Sequence, residues 1–233
     1  MIGIVVPAHD EEELIGHCLT TLLHAGSDPQ LGGEETTIVV VLDACSDGTK
    51  YIVQQFAALT AGQRCVIECI EIEARNVGIA RATGAHYVLN RASRWLAFTD
   101  ADSRVSPAWL SIQLNLNVDV VCGSVAVDDW SPYKEFASML REHYARTYND
   151  NDGHRHIHGA NLGVSAELYL KAGGFLPLAC HEDVALVAEL EKIGARFAWS
   201  AAPRVFTSAR IKARASGGFA DTLSAVVTAH RAT

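Results

Sequence analysis

Asp100 and Asp102 stand two residues apart at the end of the apolar run Trp95-Leu96-Ala97-Phe98. In extended backbone, side chains two apart face the same way, so this pair can offer two carboxylates to one ligand. Magnesium or manganese is well served by one or two protein carboxylates, with phosphate oxygens and water completing the shell. Two more acidic segments follow apolar runs: Asp10-Glu11-Glu12-Glu13 after residues 2–6, and Asp43-Ala44-Cys45-Ser46-Asp47 after residues 38–42. Gathered carboxylates repel one another and need a cation or bound donors to offset that repulsion. Such gathering is a common sign of a metal–phosphate site. The competing use is helix capping, because acids favour helix N-termini. Capping suits Asp47 and Glu11 to Glu13; it does not account for Asp100 and Asp102.

The elements that must hold these acids alternate along the first half of the chain. Residues 2–6, 38–42 and 95–98 are short apolar runs that read as buried strands, and residues 66–72 read as a further strand in the series. Between them lie helical patterns. The first opens at Asp10 as a capping residue and carries Leu14, Ile15, Cys18, Leu19, Leu22 and Leu23 on one face up to Gly26. The second spans residues 48–61 and the third residues 76–89. Four strand–helix units in series predict an α/β fold: a mostly parallel central sheet flanked by helices, with right-handed crossovers. Ligands of such sheets collect outside the carboxyl ends of the strands, where all three acidic segments fall.

The second half is less regular. Helices are expected over residues 107–116, 133–148, 166–172 and 183–193. Strands are expected over 118–127 and 196–200, with a last helix at the C-terminus. Residues 149–158, polar with Gly153 and three histidines, read as a loop and the best candidate for mobility. Packing is the expected role of Trp130.

With 233 residues, 49% of them hydrophobic, the chain can bury one large core. No run approaches the roughly 18 apolar residues of a membrane span, and Met1-Ile2-Gly3-Ile4 has no basic leader region. A net charge of −8 argues against a general nucleic-acid binder. The local basic cluster Arg204, Arg210, Lys212 and Arg214 suits a solvated turn or peripheral membrane contact as well as it suits phosphate. Six scattered cysteines without a CxxC pair imply a reducing, cytoplasmic setting.

Read in order, several fragments resemble the inverting nucleotide-sugar glycosyltransferases of family 2, which have the GT-A fold. These are Val6-Pro7-Ala8-His9-Asp10-Glu11-Glu12, Leu42-Asp43-Ala44-Cys45-Ser46-Asp47-Gly48-Thr49, Ala74-Arg75-Asn76-Val77-Gly78-Ile79-Ala80 and Phe98-Thr99-Asp100-Ala101-Asp102-Ser103. Gly159-Ala160-Asn161, Gly173-Gly174-Phe175 and Glu182-Asp183 follow at the family's spacing. The resemblance implies one GT-A-like domain over 1–233, with a nucleotide-binding half (1–103) and an irregular acceptor-binding half (104–233). It also implies a UDP- or GDP-linked sugar donor and a divalent metal, Mg or Mn. Pro7, Ala8, Asp10, Asp43 and Arg75 would then line the nucleoside pocket, Asp100 would approach the ribose, and Asp102 would hold the metal. Asp183 would be the general base that takes the acceptor hydroxyl proton.

Some residues depart from the family pattern. Asp10 stands where asparagine is commoner. The segment Val205-Phe206-Thr207-Ser208 lacks the histidine that often completes the metal site, leaving His158, His181 or water as substitutes. There is no QxxRW motif, so a single-transfer enzyme is expected, not a processive synthase. The alternative from another class is a non-catalytic nucleotide-sugar-binding or protein-interaction module on a degenerate fold. A nucleotidyltransferase ranks lower, because no glycine-rich basic loop follows the first strand.

Overall fold

The computed structural model describes residues 1–211 and 218–231. Strands β1 (Ile2–Ala8) and β2 (Thr36–Asp43) are apolar along nearly their whole length and buried on both faces, as central parallel strands must be. β3 (Cys65–Ile72) carries Glu68 and Glu71 and lies at the sheet edge. β4 (Trp95–Phe98) pairs with the other side of β1. Helices α1 (Ile15–Gly26), α2 (Thr49–Thr60) and α3 (Val77–Leu89) make the crossovers. β1 to β4 are mutually parallel, in the order β3-β2-β1-β4. That order reverses at β1, so the crevice between the ends of β1 and β4 is a topological switch point.

The second half extends the same sheet. β5 (Arg104–Val105), β6 (Val120–Ala126), β7 (Leu162–Ser165) and β8 (Phe197–Phe206) give the order β3-β2-β1-β4-β7-β6-β8-β5 among the described residues. β7 runs antiparallel to both neighbours, β8 is parallel to β6, and β5 is antiparallel to β8, so the sheet is mixed. Helices α4 (Trp109–Asn115), α5 (Ala137–Thr147), α6 (Ala166–Lys171), α7 (Glu182–Lys192) and α8 (Phe219–Arg231) complete the architecture.

Strand alternation sorts the core into two layers. Ile4 and Val6 pack with Leu19, Leu22 and Trp109 on one face; Val5 packs with Val88, Phe98 and Leu190 on the other. A third cluster, around Trp130, Tyr133, Leu140, Ala209 and Leu223, joins α5 to α8. Trp130 is a packing residue, as expected. Among the described residues, no helix is long and apolar enough to cross a membrane.

Two local readings are corrected. The first helix does not open at Asp10: α1 begins at Ile15, its cap position Leu14 offers no side-chain bond, and Asp10 is left-handed with φ 53°. The acids instead tie two strand-end loops together. Asp10 accepts from the Ser46 N–H (2.7 Å), Glu12 from the Gly48 N–H (2.7 Å), and Asp47 from the Glu12 N–H (3.1 Å). The predicted helix over 133–148 is also broken. Residues Ser131–Phe136 form a 3₁₀ turn with Pro132 in its first positions, and Lys134 adopts φ 48°. The break lets Tyr133 turn into the third cluster.

Candidate active site

At the carboxyl ends of β1, β2 and β4 lies a cleft of about 610 Å³. The start of α7, the segment before β7 and the segment after β8 close its far side. Pro7, Ala8, Asp43, Arg75, Asp100, Asp102 and Asp183 all line it. Asp10 is absent from the lining; its carboxylate is taken by Ser46 just outside.

Asp43 is buried at the end of β2 and accepts three backbone N–H groups. Its Oδ1 takes those of Ala74 (2.8 Å) and Arg75 (2.7 Å), and its Oδ2 that of Asn76 (2.8 Å). It therefore shapes the loop that presents Arg75, while at most one lone pair is left for a ligand. Asn76 caps α3 by accepting from the Ile79 N–H at 3.0 Å. Arg75 itself is left-handed, with φ 48°, as are Asp10 and Ala44 (both φ 53°) and His181 (φ 61°). Strained backbone of this kind is often found at functional sites; these four residues lie at or beside the cleft, while Ala92, Asn117 and Lys134, also left-handed, lie away from it.

Arg81, which the sequence reading passed over, organises the floor. It is 4% exposed, pairs with Glu182, and donates to Asp100 Oδ1 at 2.5 Å. The signal was present: Arg81 shares the buried face of α3 with Val88, Ala85 and Gly84, and a charge on an apolar face needs a partner. A Cβ on Gly159 would press on the Arg81 guanidinium, which its pairs with Asp100 and Glu182 hold in place, so a side chain there would disturb the floor. Burial pushes the Asp100 carboxyl above its ordinary pKa; Arg81 opposes that shift and Asp102 adds to it.

Asp102 accepts from the hydroxyls of Ser103 and Thr207 (both 3.2 Å) through Oδ1, and Arg210 contacts its Oδ2 at 2.8 Å. Arg210 also grips Glu11 with two parallel bonds of 2.8 and 2.7 Å. Arg204, from the same basic cluster, pairs with Asp150 at 2.6 Å, whereas Lys212 and Arg214 lie outside the described residues. Among the described residues, no three His, Cys, Asp or Glu side chains are placed to hold a metal.

Asp183 stands in the first turn of α7 and is half-buried. Its Oδ2 accepts from the Gly159 N–H (2.7 Å) and its Oδ1 from the Val184 N–H (2.8 Å). Beside it rises a wall of rings. Tyr144 stacks on Tyr148 at 4.7 Å and Tyr148 on His156 at 4.1 Å, while the Tyr148 hydroxyl meets His158 Nε2 at 3.0 Å. Burial, with His156 nearby, lowers the His158 pKa to about 4, so the ring is neutral at pH 7. The loop at residues 149–158 is pinned to β8: Asp152 accepts from Ser200 and Ala201, and the Gly153 N–H donates to the Trp199 carbonyl.

The model of glycosyl transferase family 2 matches residues 3–171, and the chain belongs to that family. No curated protein matches it. Among solved structures, a mannosyltransferase from Pyrobaculum calidifontis, PcManGT, bound to GDP-Man and Mn2+, is similar with TM-score 0.64 and 20% identity; the match covers 91% of this chain and 58% of that one. S. aureus TarS 1-349 in complex with UDP-GlcNAc gives 0.65 and 15%, covering 98% of this chain and 65% of that one. GalNAc-T7 with UDP, GalNAc and Mn2+ gives 0.57 and 14%, covering 89% and 43%. The fold is that of the GT-A glycosyltransferases, and the chain spans less than two thirds of the length of these three proteins.

Proposed function

We propose that this chain moves a hexosyl unit from a UDP- or GDP-linked donor to an acceptor hydroxyl, with inversion at the transferred carbon and help from a divalent metal. The observation that carries this reading is the shared cleft. Asp43, Arg75, Asp100 and Asp102 line it from the strand-end side, and Asp183 lines it from the facing side. Inverting transfer calls for one carboxylate to take the acceptor proton on the face opposite the leaving diphosphate. Family membership and the nucleotide-sugar ligands of the similar structures agree with it.

In this reading residues 1–103 bind the donor and 104–233 the acceptor. Pro7, Ala8, Arg75 and the loop ordered by Asp43 receive the nucleoside. Asp100, held by Arg81, meets the ribose. Asp102 already holds a cationic group, the Arg210 guanidinium, which supports a site of this charge binding a cation. With one carboxylate and the Thr207 hydroxyl from the protein, phosphate oxygens and water would complete the shell of Mg or Mn. Such an ion supplies Lewis-acid stabilisation of charge on the leaving diphosphate. Asp183 is positioned by Gly159 and removes the acceptor proton, a contribution of about 10²–10⁴-fold. The six cysteines are unpaired, as a reducing cytoplasm allows.

Calorimetric titration with UDP, GDP and their sugar conjugates tests the donor half. Asp102→Asn is expected to abolish metal-dependent binding, and undiminished affinity would remove Asp102 from the site. Single-turnover transfer tests the catalytic half. Asp183→Asn should bind donor normally and lose transfer by about 10²–10⁴-fold. A wild-type chain that binds donor but never transfers or hydrolyses it would favour the non-catalytic module.

A further inference from the structure

Six carboxylates and three arginines line the cleft among the described residues, so an anionic ligand entering it depends on how those arginines are committed. Arg81 is fixed in the floor, between Glu182 and Asp100. Arg75 is exposed at the rim. Arg210 is different. Its guanidinium lies beside Asp102, and it arrives on the segment that follows β8, anchored by buried Ala209 and by the Tyr133 hydroxyl, which donates to the Arg210 carbonyl at 3.3 Å. The same segment leads to the start of α8, where Phe219 and Ala220 also line the cleft.

The bonding of Arg210 is incomplete. Its two terminal nitrogens serve Glu11 and Asp102, while Nε is buried without a hydrogen-bond partner among the described residues. A guanidinium carries five N–H donors in a planar fork that matches phosphate oxygens as well as carboxylates. A buried donor left unpaired is unfavourable, so the arrangement on Glu11 and Asp102 leaves binding capacity unused. A diphosphate at Asp102 would meet this fork directly and would release Asp102 from it.

We infer that Arg210 is a diphosphate-binding residue, stored on Glu11 and Asp102 while the donor is absent and turned onto the donor's phosphates when it binds. Glu11 holds the guanidinium at the cleft through the exchange. This rests on the donor reading given above and adds a phosphate ligand to it from the far end of the chain.

The test measures what the β-phosphate adds to binding: UMP against UDP and GMP against GDP, by calorimetry, with chelator and with Mn2+. For Arg210→Gln the affinity gained from monophosphate to diphosphate should fall about tenfold or more in both conditions, as for loss of a charge-assisted bond, with monophosphate affinity unchanged. Arg210→Lys keeps the charge and loses the fork, so it should recover part of that gain; it carries the test if Arg210→Gln does not fold. An unchanged gain in both variants overturns the inference, and so does tighter Mn2+-dependent binding by Arg210→Gln, which would make the arginine only an obstruction at Asp102. If the wild-type chain binds none of the four nucleotides, the donor reading fails with it.

Discussion

On the strand-end wall of the cleft, each acid has a fixed partner. Asp43 accepts three loop N–H groups, Asp100 pairs with Arg81, and Asp102 and Glu11 share Arg210. On the part of the facing wall formed by residues 144–158, beside Asp183, rings lie on rings, and burial keeps His158 among them neutral. One wall is set by charges held in place before any ligand arrives. The other is set by shape and by apolar contact. This division suits a ligand with a charged end and a sugar or apolar end. It also means that the two walls should fail in different ways.

The largest effect is expected where the charge network is most buried. Arg81→Met leaves Glu182 without its partner and should lower stability by about 3–5 kcal/mol in urea unfolding. Adding Glu182→Gln should recover much of that loss; if the double variant is no more stable than the single, the pair is not what holds the floor. A smaller loss is expected at the strand-end loop. Asp43→Ala removes the acceptor of three N–H groups and should cost about 1–3 kcal/mol, while Asp43→Asn keeps most of it. Equal stability of the two variants would show that water replaces the carboxylate. The ring wall should respond mainly to pH. His158 titrates near 4 in the folded chain against an ordinary 6.5, so below pH 6.5 the unfolded state takes up a proton that the native state refuses. Stability then falls as pH drops from 6.5 toward 4, by on the order of 2 kcal/mol at pH 5 from this group. His158→Gln should flatten that limb in pH-dependent melts, and an unaltered limb would assign it to other groups.

Much of the strand-end wall was legible because it is local. Each acid follows its own strand within a few residues, and a buried parallel strand announces itself by its apolar run, so counting locates Asp43, Asp100 and Asp102 at strand ends. What the counting missed was partnership. Arg81 lies 101 residues from Glu182 along the chain and Arg210 lies 199 from Glu11, and no periodicity links such pairs. Asp10 and Glu12 were misread for a related reason. An acid after a strand can cap the next helix or accept from a neighbouring loop, and only the neighbour's position decides which. The antiparallel insertion of β7 between β4 and β6, and the break at Lys134, likewise depend on what the segment meets in space.

The sequence by itself determined the α/β class, the first four strands and the edge of the sheet at which the cleft lies, because apolar period and strand-end chemistry are properties of short stretches. Only the tertiary structure decided which charges neutralise which. Ion pairs form between residues that the chain separates by up to 199 positions, and their energies depend on distance and burial rather than on order along the chain.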